Sequence, residues 1–368
     1  MFDRRLLQNF DWILLLLLIL IAGISVANLY SATAAIRDAG GSQVFVKQIY
    51  WYLIGFSVLL LMTTFDYHLL ERLAFPAYFV TLGLLVLVLV IGEAHSGSRR
   101  WLEFGGVRFQ VSELAKIVLV MTLAKYFSER WMDRASRLRE LWQPFLLIAF
   151  PCVLIRLEPD LGTALLIAIV SFSIILFTKV HRNSLWILFV TFLLLAPLMW
   201  FFVLKEYQQD RLLSYLSPNA DPLGASYQVN QSKIAIGSGQ FIGKGYLDGT
   251  QTQLHFLPEQ HTDFIFSVLA EEWGFVGSVF LLLLYLFLIL WGINIAKSSM
   301  DRFGSLLALG IVAIIFWQLF INVCMITGLL PVVGIPLVLL SYGGSSIVAT
   351  MAGMGLLMNI SMRRFMFQ

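Results

Sequence analysis

The sequence predicts an all-α integral membrane protein, a polytopic bundle of about ten transmembrane helices that forms one domain over residues 1–368. Hydrophobic residues make up 59% of the chain and charged residues only 13%, whereas a soluble domain has about 25% charged residues. Apolar stretches of about 20 residues, the length that crosses the hydrocarbon core of a bilayer, recur along the whole chain.

The first apolar stretch follows Arg4 and Arg5, is too long for a signal-peptide core and lacks a clear cleavage site, so we expect a signal anchor. The last stretch, 303–362, is uncharged, and glycines and prolines between 328 and 336 should divide it into two helices. The predicted spans are 12–36, 48–65, 73–92, 111–127, 141–155, 161–178, 183–204, 273–296 and the two helices within 303–362.

The distribution of lysine and arginine predicts the orientation of these spans. Fourteen of these cations lie on the side where both termini are predicted, and ten lie on the opposite side. Four of those ten belong to the long segment 205–262. Long loops cross largely regardless of charge. We therefore expect cytoplasmic N and C termini and a large extracytoplasmic loop, 205–262, between helices 7 and 8. The loop is rich in Gly, Gln and Asp, and its polarity predicts no core of its own.

Several classes of function are disfavoured by composition. A net charge of +3 is too small to indicate a nucleic-acid partner. Cys152 and Cys324 lie inside apolar stretches and predict no disulfide. The five histidines show no metal-ligand spacing, so no metal-binding residues are assigned.

Ionisable residues near bilayer depth are the strongest functional candidates, because each is costly there unless it is paired or hydrated. Glu113 and Lys116 are three positions apart and share one face of the fourth helix. They could form a buried ion pair that stabilises the bundle, they could line a polar cavity that opens outward, or they could do both.

Two acids precede predicted helices on the outer side. Asp160 follows Pro159 at the start of the sixth helix, where a capping role explains it well. Asp263 leads into the eighth helix, where it fits either an acid of the first turn or a catalytic carboxylate held by a rigid helix. The mixture of glycines, cations and acids in the preceding loop suits a phosphorylated, hydroxyl-rich ligand.

Seven motifs stand in order on this frame. They are 99–102 (RRWL), 107–116 (VRFQVSELAK), 159–163 (PDLGT), 221–224 (DPLG), 231–239 (QSKIAIGSG), 257–264 (LPEQHTDF) and 328–336 with 340–346 (GLLPVVGIP, LSYGGSS). Together they resemble the SEDS family (shape, elongation, division and sporulation) over essentially the whole chain. The short N-terminal tail and the 205–264 segment are similar to the cell-elongation members rather than the cell-division members. The family usually has proline at positions 111 and 338, where this chain has valine.

The resemblance implies a peptidoglycan glycosyltransferase that polymerises lipid II, a disaccharide-pentapeptide on undecaprenyl pyrophosphate, during cell elongation. Asp263 then matches the essential acid of the family and is expected to be an ionised general base. A divalent cation, Mg or Mn, is expected to be shared with the substrate, and no organic cofactor is expected. The expected substrate-binding residues are Glu113, Lys116, Asp160, Arg211, Lys233, Arg99 and Arg100.

The resemblance also implies a class B penicillin-binding protein as transpeptidase partner, further membrane proteins of the elongation complex, and an active site outside the bacterial cytoplasmic (inner) membrane. Two alternatives remain open: a lipid II flippase or other transporter, and a non-enzymatic scaffold for a penicillin-binding protein.

Overall fold

The computed structural model describes residues 9–364 apart from 35–41, 96–97, 105–106, 131–137, 179, 203–204, 217–224, 255 and 258. The motif at 221–224 therefore lies outside the described residues. The longer helices are α1 (Trp12–Ala32), α2 (Ser42–Thr64), α3 (Tyr67–Ile91), α4 (Val111–Arg130), α5 (Trp142–Leu157), α6 (Leu161–Phe177) and α7 (Arg182–Phe202). They continue with α8 (Glu206–Leu216), α9 (Ala225–Ser238), the single turn α10 (Thr250–Gln253), α11 (Ile265–Ser298), α12 (Arg302–Ile326) and α13 (Gly344–Arg363).

The predicted class of a helical membrane protein agrees with these helices. In the part of the chain that the structure describes, six helices are long and apolar enough to cross a membrane by length and composition. They are Trp12–Ala32, Gln43–Thr64, Tyr67–Ile91, Ile265–Ser298, Arg302–Ile326 and Gly344–Arg363. The helices Trp142–Leu157 and Leu161–Phe177 are apolar but shorter.

Helices α12 and α13 form the centre of the bundle. In the most apolar segments of α12 and α13, 67% and 72% of the residues are buried. The corresponding shares are 22% for α2 and 28% for α3, so these two helices lie at the periphery of the bundle. Helix α12 packs against α4, α6 and α11, and α13 packs along α2. Close approach of α2 and α13 depends on Gly55 and Gly355, because a Cβ at either position would lie within 3.0 Å of the other helix.

A short antiparallel sheet joins α3 to α4 and was not predicted from the sequence. It consists of β1 (Glu93–His95), β2 (Ser98–Phe104) and β3 (Val107–Phe109) in the order β1-β2-β3. Glu93 pairs with Trp101 across the first strand pair, and Leu102 pairs with Phe109 across the second. Helix α4 begins directly after the sheet at Val111, so valine in place of the family's proline still serves as its first residue.

The segment 205–262 contains more regular structure than its polar composition suggested. Helices α8, α9 and α10 occupy much of it, and Ser232 and Ala235 of α9 are fully buried. The Ser232 hydroxyl donates to the carbonyl of Ile326 at 2.8 Å and shares a hydrogen bond with Ser267. The segment thus packs against α11 and α12 of the bundle. The sequence signal was weak because α9 buries small and hydroxyl side chains rather than an apolar stripe.

Helix α11 is interrupted near its N-terminal end. It begins at Ile265 rather than at 273, and Gly274 interrupts it with φ +64° and ψ −157°, a conformation that glycine adopts readily. Backbone N–H groups of Phe275 and Val276 donate to the carbonyls of Gln240 and Phe241, so the segment after α9 docks at the break. The break leaves an outer half-helix, 265–273, whose first residue follows Asp263 closely.

Candidate functional site

Asp263 lies two residues before the outer half-helix, and its backbone is held from two sides. The side-chain amide of Asn322 on α12 donates to the carbonyls of both Asp263 and Ile335 at 2.9 Å. The Ser341 hydroxyl donates to the carbonyl of Thr262 at 2.6 Å. Because α12 and the segment before α13 both contact this short stretch, the position of Asp263 is fixed by the core of the bundle.

The carboxylate of Asp263 is half-buried and accepts no hydrogen bond from any described residue. Burial raises its pKa to about 6, and the negative charges of Glu259 and Asp160 act in the same direction. The guanidinium groups of Arg211 and Arg100 lower the pKa and limit the rise. Such a carboxylate is still mainly ionised at neutral pH and is a stronger proton acceptor than an ordinary aspartate.

The Asp263 side chain borders a cavity of about 610 Å³, which we call the outer cavity after the side on which the sequence analysis expects it. Its wall combines the β-sheet, the N-terminal ends of α4, α6 and α13, the helices α8 and α9, and the connection between α12 and α13. Five residues expected at the site line it: Arg100, Glu113, Asp160, Arg211 and Asp263. Further polar side chains at its wall are Gln110, Thr163, Gln208, Gln228, Glu259, Thr262, Tyr342 and Ser346.

Asp160 caps α6 and lines the outer cavity, so both interpretations drawn from the sequence fit it. Its Oδ1 accepts from the backbone N–H of Thr163 at 3.1 Å, and its Oδ2 accepts from the Thr163 hydroxyl at 2.9 Å. The Gln110 amide donates to the same Oδ2 at 3.4 Å. These contacts hold the carboxylate at the cavity wall.

The two arginines of the outer cavity are anchored through backbone carbonyls. Arg100 on β2 donates to the carbonyls of Glu158 and Pro159, and Arg211 on α8 donates to the carbonyl of Val332 at 3.3 Å. Both guanidinium groups are thereby held at the wall of the outer cavity, where they add positive charge.

Glu158, next to Asp160, is a buried acid whose carboxyl oxygens have no hydrogen-bond partner among the described residues. Burial and the charge of Asp160 raise its pKa to about 8, against the opposing effect of Arg100. The Glu158 side chain is therefore mainly protonated at neutral pH, and it adds little negative charge beside the cavity.

Glu113 and Lys116 form the buried ion pair that their spacing suggested. Lys116 Nζ lies 2.8 Å from Glu113 Oε1, and both residues are 5% exposed. Glu113 lines both the outer cavity and a separate pocket of about 20 Å³, and Lys116 lines only the second of the two. The pair thus links the cavity wall to the helix core.

Besides Lys116, two expected residues are not among those that line the outer cavity. Lys233 is exposed on α9, its side chain runs over Gly328, and it is not among the residues lining the outer cavity. Arg99 lies in β2, and its side chain is outside the described part of the structure. No group of three or more His, Cys, Asp or Glu side chains is arranged to hold a metal within the described ranges.

Two residues that sequence reasoning missed are important for the geometry. Asn322 holds the backbone at Asp263, and a buried amide within the apolar helix α12 was a visible signal. Glu259 raises the pKa of Asp263 from a position four residues before it, inside the 257–264 motif.

Comparisons with known proteins agree with this architecture. The model of a cell cycle protein family, FtsW/RodA/SpoVE, matches residues 8–365. "Peptidoglycan glycosyltransferase MrdB" of Escherichia coli (strain K12) is 40% identical over 351 residues, which cover 95% of this chain and 94% of that relative.

Two solved structures are also similar along the chain. One is a chain of the solved structure "Structural coordination of polymerization and crosslinking by a peptidoglycan synthase complex". Its TM-score is 0.83 and its sequence identity is 32%, and the match covers 97% of this chain and 98% of that chain. The other is Rod shape determining protein RodA of Thermus thermophilus, with a TM-score of 0.72, 31% identity and the same coverage, 97% and 98%.

Proposed function

Because the chain belongs to the FtsW/RodA/SpoVE family and is a peptidoglycan glycosyltransferase of the membrane, we propose that it polymerises lipid II during cell elongation with Asp263 as general base. The observation that carries the assignment is a half-buried carboxylate that accepts no hydrogen bond from the described residues and faces a cavity lined by two arginines. A base needs a free carboxylate, and a pyrophosphate leaving group needs cations nearby.

In the proposed reaction, the 4-hydroxyl oxygen of the acceptor GlcNAc attacks the anomeric carbon of the donor MurNAc. The bond between that carbon and the pyrophosphate oxygen breaks, and undecaprenyl pyrophosphate leaves with the electron pair. Asp263 accepts the hydroxyl proton. Arg100 and Arg211 bind the pyrophosphate, while Gln110, Asp160 and Thr163 offer hydrogen bonds to sugar hydroxyls.

A divalent cation, Mg or Mn, is part of this proposal as a species that arrives with the pyrophosphate. No three carboxylates among the described residues are grouped to hold such an ion, so the pyrophosphate oxygens would supply part of its coordination, beside a single carboxylate such as Asp160 at the cavity wall. When bound, the cation would neutralise charge on the leaving group.

The proposal includes ten membrane crossings, by α1–α7 and α11–α13, with both termini in the cytoplasm and the outer cavity outside it. The excess of lysine and arginine on the side of the termini supports this orientation. A class B penicillin-binding protein is the proposed partner, together with other membrane proteins of the elongation complex. Its support is the similarity to a chain of a synthase complex that coordinates polymerization and crosslinking.

Glycan formation by the purified full chain, with lipid II, a divalent cation and a class B penicillin-binding protein, tests the function. The Asp263→Asn variant should form strands at least about 100-fold more slowly than wild type. Asp248→Asn, a change at an exposed acid of the segment 205–262, should retain wild-type activity. Strand formation at the wild-type rate by Asp263→Asn would remove the catalytic assignment.

The same preparation distinguishes the rival functions. A flippase would move the lipid II head group across liposomes regardless of the change at Asp263. A scaffold would give neither strand formation nor head-group movement in the presence of its partner.

A further inference from the structure

A second large cavity, which we call the lateral groove, lies between α3, α4 and α5 and has a volume of about 560 Å³. Helix α4 begins at the outer cavity and ends at Arg130, which lines the lateral groove. The groove is therefore at the end of the bundle opposite Asp263. It shares no lining residue with the outer cavity, and the glycosyltransferase mechanism makes no use of it.

Most of the lateral groove is apolar and faces the lipid. Phe79, Leu146 and Phe150 line it and are 65%, 45% and 55% exposed. From Trp142 to Phe150 the wall extends along nine residues of α5, whose eight steps correspond to about 12 Å at the rise of an α-helix. These dimensions suit a stretch of acyl chain lying against the helices.

The polar end of the lateral groove holds an arginine in a fixed position. Arg130 Nη1 donates to the hydroxyl of Tyr126 at 2.9 Å and to the Gln143 side chain. The Tyr126 hydroxyl in turn donates to Gln143 Oε1 at 2.9 Å, and Arg130 Cζ lies 4.7 Å from the centre of the Tyr126 ring. The hydrogen bonds among described residues use only Nη1, so Nε and Nη2 can bind the two oxygens of a phosphate.

The position of Arg130 along the bundle axis is consistent with a membrane–water interface. Trp142 lines the same end of the groove and is 57% exposed, as expected for a tryptophan at the head-group level. Lys125 lies five residues before Arg130, with its Nζ 3.7 Å from Glu129 Oε1 and 5.5 Å from the Phe75 ring of the groove wall. Between residues 125 and 140 the sequence has five cations and three acids, so the stretch keeps a net positive charge.

We infer that the lateral groove binds an anionic glycerophospholipid, with its phosphate on Arg130 and an acyl chain along the aromatic wall of α3 and α5. Basic pockets between membrane helices at the interface are the usual sites for such head groups. The excess of positive charge favours an anionic head group over a zwitterionic one. A groove of this length holds part of a diacyl lipid, and it is short for a long polyprenyl chain.

Native mass spectrometry of the purified full chain tests the inference, because it counts bound lipids without depending on enzymatic activity. Phosphatidylglycerol and phosphatidylcholine with identical acyl chains are offered at equal concentration. Wild type should retain phosphatidylglycerol at least fivefold over phosphatidylcholine. Arg130→Met should reduce this ratio below twofold, and Arg182→Met, a change at an exposed cation that starts α7, should leave it unchanged.

A second variant fills the groove without removing charge. Leu146→Trp places a large ring in the apolar part, at a position that already faces lipid, and should reduce retention of both phospholipids. Equal retention of the two lipids by wild type, or a ratio unaffected by Arg130→Met, would overturn the inference. Undisturbed retention in Leu146→Trp, or displacement of phosphatidylglycerol by an equal concentration of undecaprenyl phosphate, would overturn it as well.

Discussion

The acids Asp263 and Glu271 lie at the two ends of the same outer half-helix, and their surroundings differ completely. Glu271 is fully buried, and its carboxylate accepts hydrogen bonds from Lys244 Nζ at 2.7 Å, from the backbone N–H groups of Gln251 and Thr252, and from two threonine hydroxyls. The carboxylate of Asp263 has no hydrogen-bond donor among the described residues and faces a cavity.

This difference separates a structural carboxylate from a reactive one. Glu271 fastens the 244–252 segment to the half-helix, since its oxygens are saturated with donors and can accept no proton from a ligand. Asp263 is held only through its backbone, and its side chain is left to the cavity. The half-helix is thus fixed at one end so that the carboxylate at its other end can react.

The largest expected effect is the loss of catalysis in Asp263→Asn. General-base catalysis contributes roughly 10²–10⁴-fold, so the rate of glycan polymerisation should fall at least about 100-fold. The thermal unfolding midpoint should stay equal or rise, because the amide removes a charge that burial disfavours. An equally large fall in both activity and unfolding midpoint would show that Asp263 is structural.

Breaking the Glu113–Lys116 pair should be the next largest effect. Removing one partner of a buried pair costs about 3–5 kcal/mol, so Glu113→Gln and Lys116→Met should each lower the unfolding midpoint strongly. The double variant leaves no uncompensated charge and should recover much of that stability. Recovery of polymerisation in the double variant would remove Lys116 from substrate binding.

Glu271→Gln should destabilise the protein while reducing activity less than Asp263→Asn does. The change removes the charge partner of Lys244, which is 26% exposed, so we expect a cost of about 2–4 kcal/mol in unfolding free energy. Displacement of the half-helix should lower polymerisation roughly tenfold, because catalysis is sensitive to small misplacement. Lys244→Met should give a similar loss of stability, and a stability change in neither variant would contradict the anchoring role.

Charges around Asp263 should shift the pH dependence of polymerisation in opposite directions. The Arg211 guanidinium lowers the pKa of Asp263 and Glu259 raises it. In Arg211→Met, therefore, the loss of activity on acidification should begin at a higher pH than in wild type. In Glu259→Gln it should begin at a lower pH than in wild type, and each shift should be less than about one pH unit. Shifts in the same direction in both variants would mean that another group titrates.

The smallest effect is expected for Lys233→Met, which should leave polymerisation within about twofold of wild type. Lys233 is exposed on α9 and does not line the outer cavity. A loss of tenfold or more in the same assay, with unchanged stability, would place this lysine in the reaction after all.

Much of the fold follows from residue type and spacing. Long uncharged stretches predicted α1, α2 and α3, and the glycines and prolines at 328–336 predicted the break between α12 and α13. Asp160 was identified correctly as a helix cap, because capping depends on neighbours only three residues away.

Contacts between distant parts of the chain could not be predicted in the same way. The spacing of Glu113 and Lys116 places them on one face, but the direction of that face depends on how α4 packs against α12 and α13. The saturation of Glu271 needs a segment that is about 20 residues earlier in the sequence. The β-sheet that carries Arg100 was missed because its strands are short and lie between two long apolar helices.

The most direct test of the central claim is the pH–rate profile of glycan polymerisation by the purified wild-type chain with its partner. A base acts in its ionised form, and a pKa raised to about 6 means that the rate should be constant near neutrality and should fall about tenfold per pH unit below pH 6. A rate that stays constant down to pH 4.5 would contradict the assignment of Asp263 as the group that accepts the proton.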